Sequence, residues 1–192
     1  MHRLTTAFVL GYHGCSKAVG EKVLAGEPFR ASDNDYDWLG PGIYFWESNP
    51  ERALNWAKRR LKNPDGGFVV GAVIELGFCL DLTTQSATAA LLQSFHRLEA
   101  AAKLARAPMP RNSDDQDQLR RYLDCAVIRT LHQTLADEGA HALDTVKGVF
   151  VEGDPIYPGA AIRDLTHSQI AVVNPACIKG VFRVQGIEGS PV

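Results

Sequence analysis

Two short segments of the sequence place a polar ring residue among glycines and apolar residues. GYHGC at residues 11–15 centres on His13, and GPGIYFWE at residues 40–47 contains Tyr44. Imidazole and phenol groups can hydrogen bond to a ligand, and an aromatic ring can stack on a flat one. Taken singly, each residue also fits ordinary packing in a core with its polar atoms paired. The two segments are therefore either separate parts of the core or two halves of one pocket.

The length and composition predict a single globular domain. The chain has 192 residues, of which 45% are hydrophobic and 22% are charged, which is enough to bury a sizeable core. A net charge of −2 gives no general attraction to nucleic acid. The basic run KRRLK at residues 58–62 is interpreted as the solvated end of a helix.

The sequence favours a cytoplasmic protein that does not enter a membrane. No apolar run approaches the roughly 20 residues that a membrane helix needs, and the N-terminal segment lacks the features of a secretory signal. The four cysteines are far apart and form no C-x-x-C pair, which predicts reduced thiols rather than disulfides or a zinc site. They are Cys15, Cys79, Cys125 and Cys177.

Apolar periodicity and capping residues predict an α+β chain. Helices are expected over residues 16–25, 48–62, 86–106 and 117–138. Strands are expected over residues 7–14, 43–45, 67–82 with a break at Gly77, 147–153, 168–174 and 178–184. Because strands lie at both ends, we expect a split, largely antiparallel sheet with a helical insertion at about residues 85–145. The motifs of parallel dinucleotide-binding sheets and of phosphate-binding P-loops do not occur in the sequence.

The order of four motifs resembles the ADP-ribosyltransferase superfamily. The motifs are YHG at 12–14, GPGIYF at 40–45, ALNWA at 53–57 and THSQIAVVNPACIKGVF at 166–182. In the His-Tyr-Glu branch, which includes diphtheria toxin and the poly(ADP-ribose) polymerases, two early strands carry His-Gly and Gly-x-Gly-Ile-Tyr-Phe, and a late strand carries a catalytic glutamate. The resemblance covers most of the chain outside the helical middle, and it implies the split-sheet ADP-ribosyltransferase fold.

The resemblance implies an NAD site built from the first three motifs. Tyr44 would stack on the nicotinamide, and Trp56 would form the opposite wall, although its spacing from Tyr44 is about one residue longer than expected. The Gly14 backbone would hold the carboxamide at a place where any Cβ would intrude. His13 would hydrogen bond to the adenosine-side ribose as a neutral imidazole, so no metal is implied.

The loop at residues 30–42 would cover the dinucleotide. Ser32 and Asn34 are expected to contact its ribose or adenine, and Arg30 is expected to face a phosphate.

Gln169 stands where the resemblance places the catalytic glutamate. An amide can hydrogen bond to the nicotinamide ribose, but it cannot act as a base, and losing one well-placed electrostatic group commonly lowers a rate by about 10²–10³. Gln169 could suffice for a slow enzyme or a reactive acceptor. Another carboxylate could enter the site, with Glu152 the first candidate and Glu47 the second, although Glu152 could equally be a surface residue beside a turn. The chain could also bind NAD without turnover.

His167 lies two residues before Gln169, so strand periodicity places both side chains on one face. By analogy with other ADP-ribosyltransferase branches, His167 would contact or deprotonate the acceptor. The alternative is a strand-edge histidine that faces solvent.

We therefore expect an NAD-dependent ADP-ribosyltransferase that transfers ADP-ribose to an acceptor and releases nicotinamide. The acceptor would be a protein, a nucleic acid or a small molecule. The free-standing catalytic domain resembles a bacterial or phage effector, such as a toxin with an antitoxin or immunity partner. The alternatives are an NAD glycohydrolase, in which water replaces the acceptor, and a catalytically weak sensor of NAD or ADP-ribose.

Overall fold

The computed structural model describes residues 2–63, 66–115, 117 and 119–187, and it shows an α+β chain. The four α-helices within these ranges are α1 (Lys17–Leu24), α2 (Pro50–Leu61), α3 (Gln85–Ala105) and α4 (Tyr122–Asp137). The six strands are β1 (His2–Ser16), β2 (Ile43–Glu47), β3 (Gly67–Asp81), β4 (Thr145–Phe150), β5 (His167–Val172) and β6 (Ile178–Arg183). Within the same ranges, no helix is long and apolar enough to cross a membrane.

The strands form one sheet in the order β1-β2-β5-β4-β3-β6, and a further β1–β3 pairing closes the first five into a ring. Among the described residues, five of the six strand pairings are antiparallel, and the β3–β4 pairing is parallel. β3 joins the two sides of the ring, because residues 67–79 pair with β1 while residues 79–81 pair with β4. The α+β class and the largely antiparallel sheet predicted from the sequence are confirmed.

The two helices that follow β1 and β2 each begin at a side-chain cap. Ser16 Oγ accepts a hydrogen bond from Val19 N–H at 3.3 Å at the start of α1. Asn49 Oδ1 accepts one from Arg52 N–H at 3.0 Å at the start of α2, and Pro50 occupies the first turn. Both predicted helices are confirmed to within two residues at each end.

Several predicted boundaries are wrong: β1 begins at His2 instead of residue 7, and β4 ends at Phe150 instead of residue 153. Two further errors have a clear physical cause. β3 is not broken at Gly77, because this glycine adopts a φ of +58° and the strand continues to Asp81. α4 begins at Tyr122 instead of residue 117, because the preceding loop folds back and caps it. Asn112 Oδ1 accepts hydrogen bonds from the N–H groups of Leu123 and Asp124 at 2.9 and 3.3 Å.

The helical insertion packs on the β4 side of the sheet. α4 contributes Ile128, Leu131 and Leu135 to a cluster that also contains Leu39 and Val146. The helices α3 and α4 contact each other and are tied by a hydrogen bond from Ser94 Oγ to the carbonyl of Val127 at 2.9 Å. Because Leu39 belongs to the loop before β2, this cluster anchors that loop to α4.

Candidate active site

A cleft of about 620 Å³ collects residues from seven separate segments of the chain. This volume lies within the range of about 300–1,000 Å³ that is usual for ligand pockets. Ten of the candidate residues selected from the sequence line this cleft, and Glu47 does not; the ten are His13, Gly14, Arg30, Ser32, Asn34, Tyr44, Trp56, Glu152, His167 and Gln169. The two ring-containing segments near the N-terminus are therefore parts of one pocket.

Strand pairing explains why distant residues meet in the cleft. Trp46 on β2 lies opposite Tyr12 on β1 and opposite Gln169 on β5. Side chains alternate along a strand, so Tyr44 and Trp46 share one face of β2, and His167 and Gln169 share one face of β5. β1, β2 and β5 are therefore neighbours in the sheet, and their side chains form one continuous lining although the strands come from separate parts of the sequence.

His13 is a neutral, oriented imidazole. Its Nδ1 lies 2.9 Å from the carbonyl oxygen of Tyr44, so Nδ1 carries the proton and donates, and Nε2 keeps its lone pair. The ring packs against Phe29 and Phe45, with centroid distances of 5.1 and 5.7 Å. Burial lowers the pKa of His13 and outweighs the hydrogen bond to Tyr44, which raises it.

The Tyr44 hydroxyl is used inside the protein. It accepts a hydrogen bond from Leu39 N–H at 3.0 Å and donates one to the carbonyl of Gly40 at 2.8 Å. Burial raises the pKa of Tyr44 well above its ordinary value, so the phenol is neutral. Tyr44 thus fixes the loop before β2, and its ring is the part of the residue that a ligand can contact.

Trp38 determines what Gln169 offers to a ligand. Its indole Nε1–H donates to Gln169 Oε1 at 2.6 Å, and both side chains are buried. The indole N–H is only a donor, so this bond fixes the amide orientation and leaves the NH₂ group as the donor available to the cleft. Trp38 was not predicted from the sequence, because its partner lies 131 residues away.

Glu152 is buried and paired within the cleft. It is 3% exposed, forms an ion pair with Arg52, and lies 3.3 Å from Arg59 Nη1. The interpretation of Glu152 as a surface carboxylate is therefore wrong. Glu152 Oε2 lies 4.0 Å from Nδ1 of His167.

The second candidate carboxylate, Glu47, lies outside the cleft. Its carboxylate binds Lys147 Nζ at 2.8 Å and Ser168 Oγ at 2.7 Å. Glu47 follows Trp46, which lines the cleft, so strand alternation turns it to the other face. The prediction that Glu47 enters the site is wrong.

His167 is buried, and the solvent-facing alternative is wrong. Its Nδ1 donates to the carbonyl of Leu165 at 2.6 Å, and its ring stacks on Phe150 with a centroid distance of 5.6 Å and an interplanar angle of 19°. Burial is the largest cause that lowers the pKa of His167. Its Nε2 is buried and has no hydrogen-bond partner among the residues that the structure describes.

Gly14 lies against α2. A Cβ at this position would collide with the carbonyl oxygen of Ala53 on α2. The absence of a side chain therefore lets α2 lie close to β1, and the expected contact of the Gly14 backbone with a carboxamide stays a prediction.

The loop before β2 holds its polar side chains against one another. Asn34 Nδ2 donates to Ser32 Oγ at 2.8 Å, and Asn34 N–H donates to Asp37 Oδ2 at 2.9 Å. Arg129 on α4 binds Asp33 and also the carbonyl of Asn34 at 3.3 Å. The helical insertion thus positions the loop that forms one wall of the cleft.

Two tryptophans form an aromatic wall. Trp46 is buried, and its ring centroid lies 5.4 Å from that of Trp56, which is 38% exposed. Trp46 also lies 6.1 Å from the His167 ring. Trp56 was selected from its sequence motif and Trp46 was not; the place of Trp46 in the lining follows from the alternation of side chains along β2, which puts it on the same face as Tyr44.

The lining is rich in arginine. Five arginines line the cleft together with two carboxylates, Asp37 and Glu152; the arginines are Arg30, Arg52, Arg59, Arg60 and Arg120. Arg59 and Arg60 are exposed in the last turn of α2, as interpreted from the sequence, and they also border the cleft. The available signal was helical spacing, because positions seven and eight residues after Arg52 return to the same face of α2.

No group of three or more histidine, cysteine or acidic side chains that could hold a metal ion occurs in the described part of the chain.

Comparison with known proteins adds little to this geometry. No family model matches the sequence, and no curated protein matches it. The crystal structure of an anti-CRISPR protein shares 13% sequence identity with the chain, covers 94% of it and 98% of that protein, and gives a TM-score of 0.38. At that identity and TM-score, the likeness does not establish a shared fold.

Proposed function

We propose that this protein is an NAD-dependent ADP-ribosyltransferase with the split-sheet fold of that superfamily and a helical insertion. One observation carries the proposal: ten of the residues selected from the sequence for one chemistry line a single cleft, although they come from six segments and only Glu47 of the named candidates lies outside it. Ordinary packing does not require these particular residues to meet in one cavity.

Binding in the cleft would orient the dinucleotide. The nicotinamide would lie against the ring of Tyr44, with Trp56 across from it, and the loop containing Ser32 and Asn34 would cover the adenosine half. The neutral His13, which keeps a lone pair on Nε2, would accept a hydrogen bond from the ribose on that side. Such positioning supplies much of the catalysis when the transition state is oxocarbenium-like.

The reaction would break the bond between C1 of the nicotinamide ribose and the nicotinamide nitrogen. The electron pair leaves with nicotinamide, and an acceptor atom forms the new bond to C1. The Gln169 amide NH₂ can donate to a ribose hydroxyl, but a neutral amide stabilises the developing positive charge far less than a carboxylate does. The intrinsic rate with water as acceptor is therefore expected to be low.

Labelled NAD tests the proposal directly. Incubation of the chain with NAD should release nicotinamide, and label that stays on a macromolecule or small acceptor supports transfer. Free ADP-ribose as the sole product supports an NAD glycohydrolase instead.

The cleft can be tested with a pair of tyrosine variants. Tyr44→Ala should weaken NAD binding by about tenfold or more, because stacking on one aromatic ring contributes about 1–3 kcal/mol. Tyr157→Ala is the control, since Tyr157 is 58% exposed and does not line the cleft. Equal NAD binding by wild type and a folded Tyr44→Ala variant would contradict the proposal.

A non-catalytic NAD or ADP-ribose sensor is the second candidate, and two contacts favour it. Gln169 is an amide whose oxygen accepts a hydrogen bond from Trp38, and the Glu152 carboxylate is ion-paired with Arg52 and Arg59. The ribose would therefore meet no unpaired carboxylate from either residue. Measurable NAD binding without nicotinamide release above background would support the sensor.

A further inference from the structure

Arg121, the residue immediately before α4, lies behind one wall of the cleft. Its guanidinium carbon is 5.3 Å from the ring centroid of Trp38 and 4.1 Å from that of Phe150. A guanidinium within about 6 Å of a ring centroid is attracted by the negative face of the ring. Trp38 and Phe150 line the cleft, whereas Arg121 does not. The Arg121 side chain is therefore placed to act on the cleft through these two rings.

Each of the two rings contacts one polar side chain of the site. The Trp38 indole Nε1–H donates to Gln169 Oε1 at 2.6 Å. The Phe150 ring stacks on that of His167, with a centroid distance of 5.6 Å. Trp38 and Phe150 also pack edge to face, with centroids 5.1 Å apart and an interplanar angle of 73°. Arg121 is thus one side chain away from Gln169 and one side chain away from His167.

Arg121 is held in position from two further directions. Its N–H donates to the carbonyl of Tyr36 at 3.2 Å, in the loop before β2. Its Nη1 lies 3.8 Å from Asp124 Oδ2, and only 18% of the side chain is exposed. A buried charge costs free energy unless nearby groups compensate it. The faces of the Trp38 and Phe150 rings supply part of that compensation, and the guanidinium in return restrains the rings.

The orientation of Gln169 depends on a restrained Trp38. The terminal torsion of a glutamine side chain is broad and roughly two-fold, so its oxygen and NH₂ group can exchange places. The indole N–H is only a donor, and it therefore selects the orientation that turns the NH₂ group toward the cleft. If the Trp38 ring were free to turn, this selection would be lost.

We propose, on the basis of the proposed function, that Arg121 is a positioning residue of the transferase. Its guanidinium restrains the rings of Trp38 and Phe150 and thereby fixes the orientation of Gln169 and His167 toward bound NAD. Arg121 belongs to the helical insertion, at the junction between its folded loop and α4. The insertion therefore has a role in the geometry of the reaction beyond its packing against the sheet.

Steady-state kinetics of nicotinamide release from NAD by the full chain tests the proposal. Arg121→Met keeps a long apolar side chain and removes the charge. It should lower kcat by about tenfold or more, because a displaced functional group can cost up to about 10²-fold, and change KM for NAD by less than about threefold. Arg121→Lys keeps the positive charge and should fall between the wild type and Arg121→Met. Arg111→Met is the matched control and should match the wild type, because Arg111 is exposed and does not line the cleft.

Hydrogen exchange of the indole N–H groups, followed by NMR, distinguishes positioning from a general loss of stability. The Trp38 signal is assigned by its absence from Trp38→Phe. In Arg121→Met its exchange with water should become about tenfold faster or more, because local opening releases the N–H from Gln169. The indole N–H of Trp46 is buried in another part of the cleft wall and should exchange at the wild-type rate.

A double-mutant cycle tests the route through Trp38. Trp38→Phe removes the indole donor and keeps an aromatic ring, so it should itself lower kcat. Because the donor is already absent, adding Arg121→Met should lower kcat by no more than about threefold further, through Phe150 alone.

Three results overturn the inference and leave the proposed function standing. They are a kcat of Arg121→Met equal to that of Arg111→Met, an equal acceleration of exchange at Trp38 and Trp46, and full multiplication of the two effects in the double variant. If Arg121→Met does not fold, Arg121→Lys is compared with Arg111→Met by the same criteria. A wild type that releases no nicotinamide rejects the proposed function, and with it any role of Arg121 in transfer.

Discussion

Gln169 is the residue of the cleft that fits the proposed chemistry least, because it carries an amide where a catalytic carboxylate is expected. The indole of Trp38 holds its oxygen at 2.6 Å, so the amide is a fixed donor and not a mobile group. A glutamate at this position could accept the same hydrogen bond from Trp38 and add a negative charge where the ribose of NAD is proposed to bind. The Trp38 contact is therefore compatible with either side chain.

Gln169→Glu should raise the rate of nicotinamide release with water as the acceptor by about 10²-fold. The added carboxylate would stabilise positive charge on the ribose and could activate water. Initial rates of nicotinamide release from NAD, measured by chromatography, give the comparison. Gln93→Glu is the control, because it adds the same charge on the exposed surface of α3. A folded Gln169→Glu variant that is no faster than wild type would contradict this role of position 169.

The cleft residues that could be predicted from the sequence are those that lie within short local motifs. His13 and Tyr44 sit in glycine-bounded motifs, and His167 is placed by its two-residue spacing from Gln169. The Arg52–Glu152 pair joins positions 100 residues apart, and no local pattern in the sequence indicates it. Long-range pairing of this kind depends on the strand order, which the sequence did not provide.

At the scale of elements, the packing of α2 on β1 sets the shape of the cleft. α2 carries Arg52, Trp56 and Arg59, and its close approach to β1 depends on the absence of a side chain at Gly14. A small displacement of this helix would move all three side chains at once. The stability of the element and the geometry of the site are thus linked.

Gly14→Ala should lower the free energy of unfolding by about 1–3 kcal/mol, because its Cβ would overlap the carbonyl oxygen of Ala53. Gly180→Ala is the matched control on β6, where an added Cβ meets no atom within 4 Å, and it should change the free energy by less than about 0.5 kcal/mol. Urea unfolding followed by circular dichroism measures both. Equal stability of the two variants would show that α2 does not need this close approach.

Element types were predictable because caps and apolar periodicity are local. Asn49 and Pro50 mark the start of α2 in the sequence and in the structure. The start of α4 was misplaced because its cap, Asn112, reaches it from ten or more residues earlier across a folded loop. The continuity of β3 was missed because Gly77 looks like a breaker, whereas its left-handed conformation keeps the strand running.

At the scale of the whole molecule, three histidines with lowered pKa values couple folding to pH. They are His13, His132 and His167, and burial is the largest cause for each. In the unfolded chain a histidine has a pKa of about 6.5, so the unfolded state takes up protons before the folded state does. The stability that these groups contribute is fully present above that pH and is lost as the pH falls toward their folded pKa values.

The free energy of unfolding should therefore decrease between pH 7.5 and pH 5.5. The lower limit stays above the ordinary pKa values of about 3.9 and 4.3 for aspartate and glutamate, so histidines dominate the change. Urea unfolding at several pH values provides the measurement. Replacing one titrating group, as in His132→Gln, should reduce the pH dependence. A stability that is constant or rises as the pH falls would contradict the neutral, buried state of these histidines.

The fold class could be predicted from the sequence, whereas the closed ring of strands and the arginine-rich wall could not, and the reason is physical. The α+β class and the antiparallel preference follow from element order, which the sequence contains. The ring formed by the β1–β3 pairing and the arginine-rich wall depend on which strands and helices meet in space. Arg30, Arg52 and Arg120 come from three different segments, so their shared charge becomes visible only in the folded chain.

A crystal structure of the chain with NAD is the most direct test of the proposed role of the cleft. The nicotinamide is expected between Tyr44 and Trp56, with a ribose hydroxyl within hydrogen-bond distance of the Gln169 amide and the adenosine-side ribose at His13. NAD bound at a different surface, or a cleft that stays free of NAD at concentrations that saturate binding in solution, would contradict the proposal.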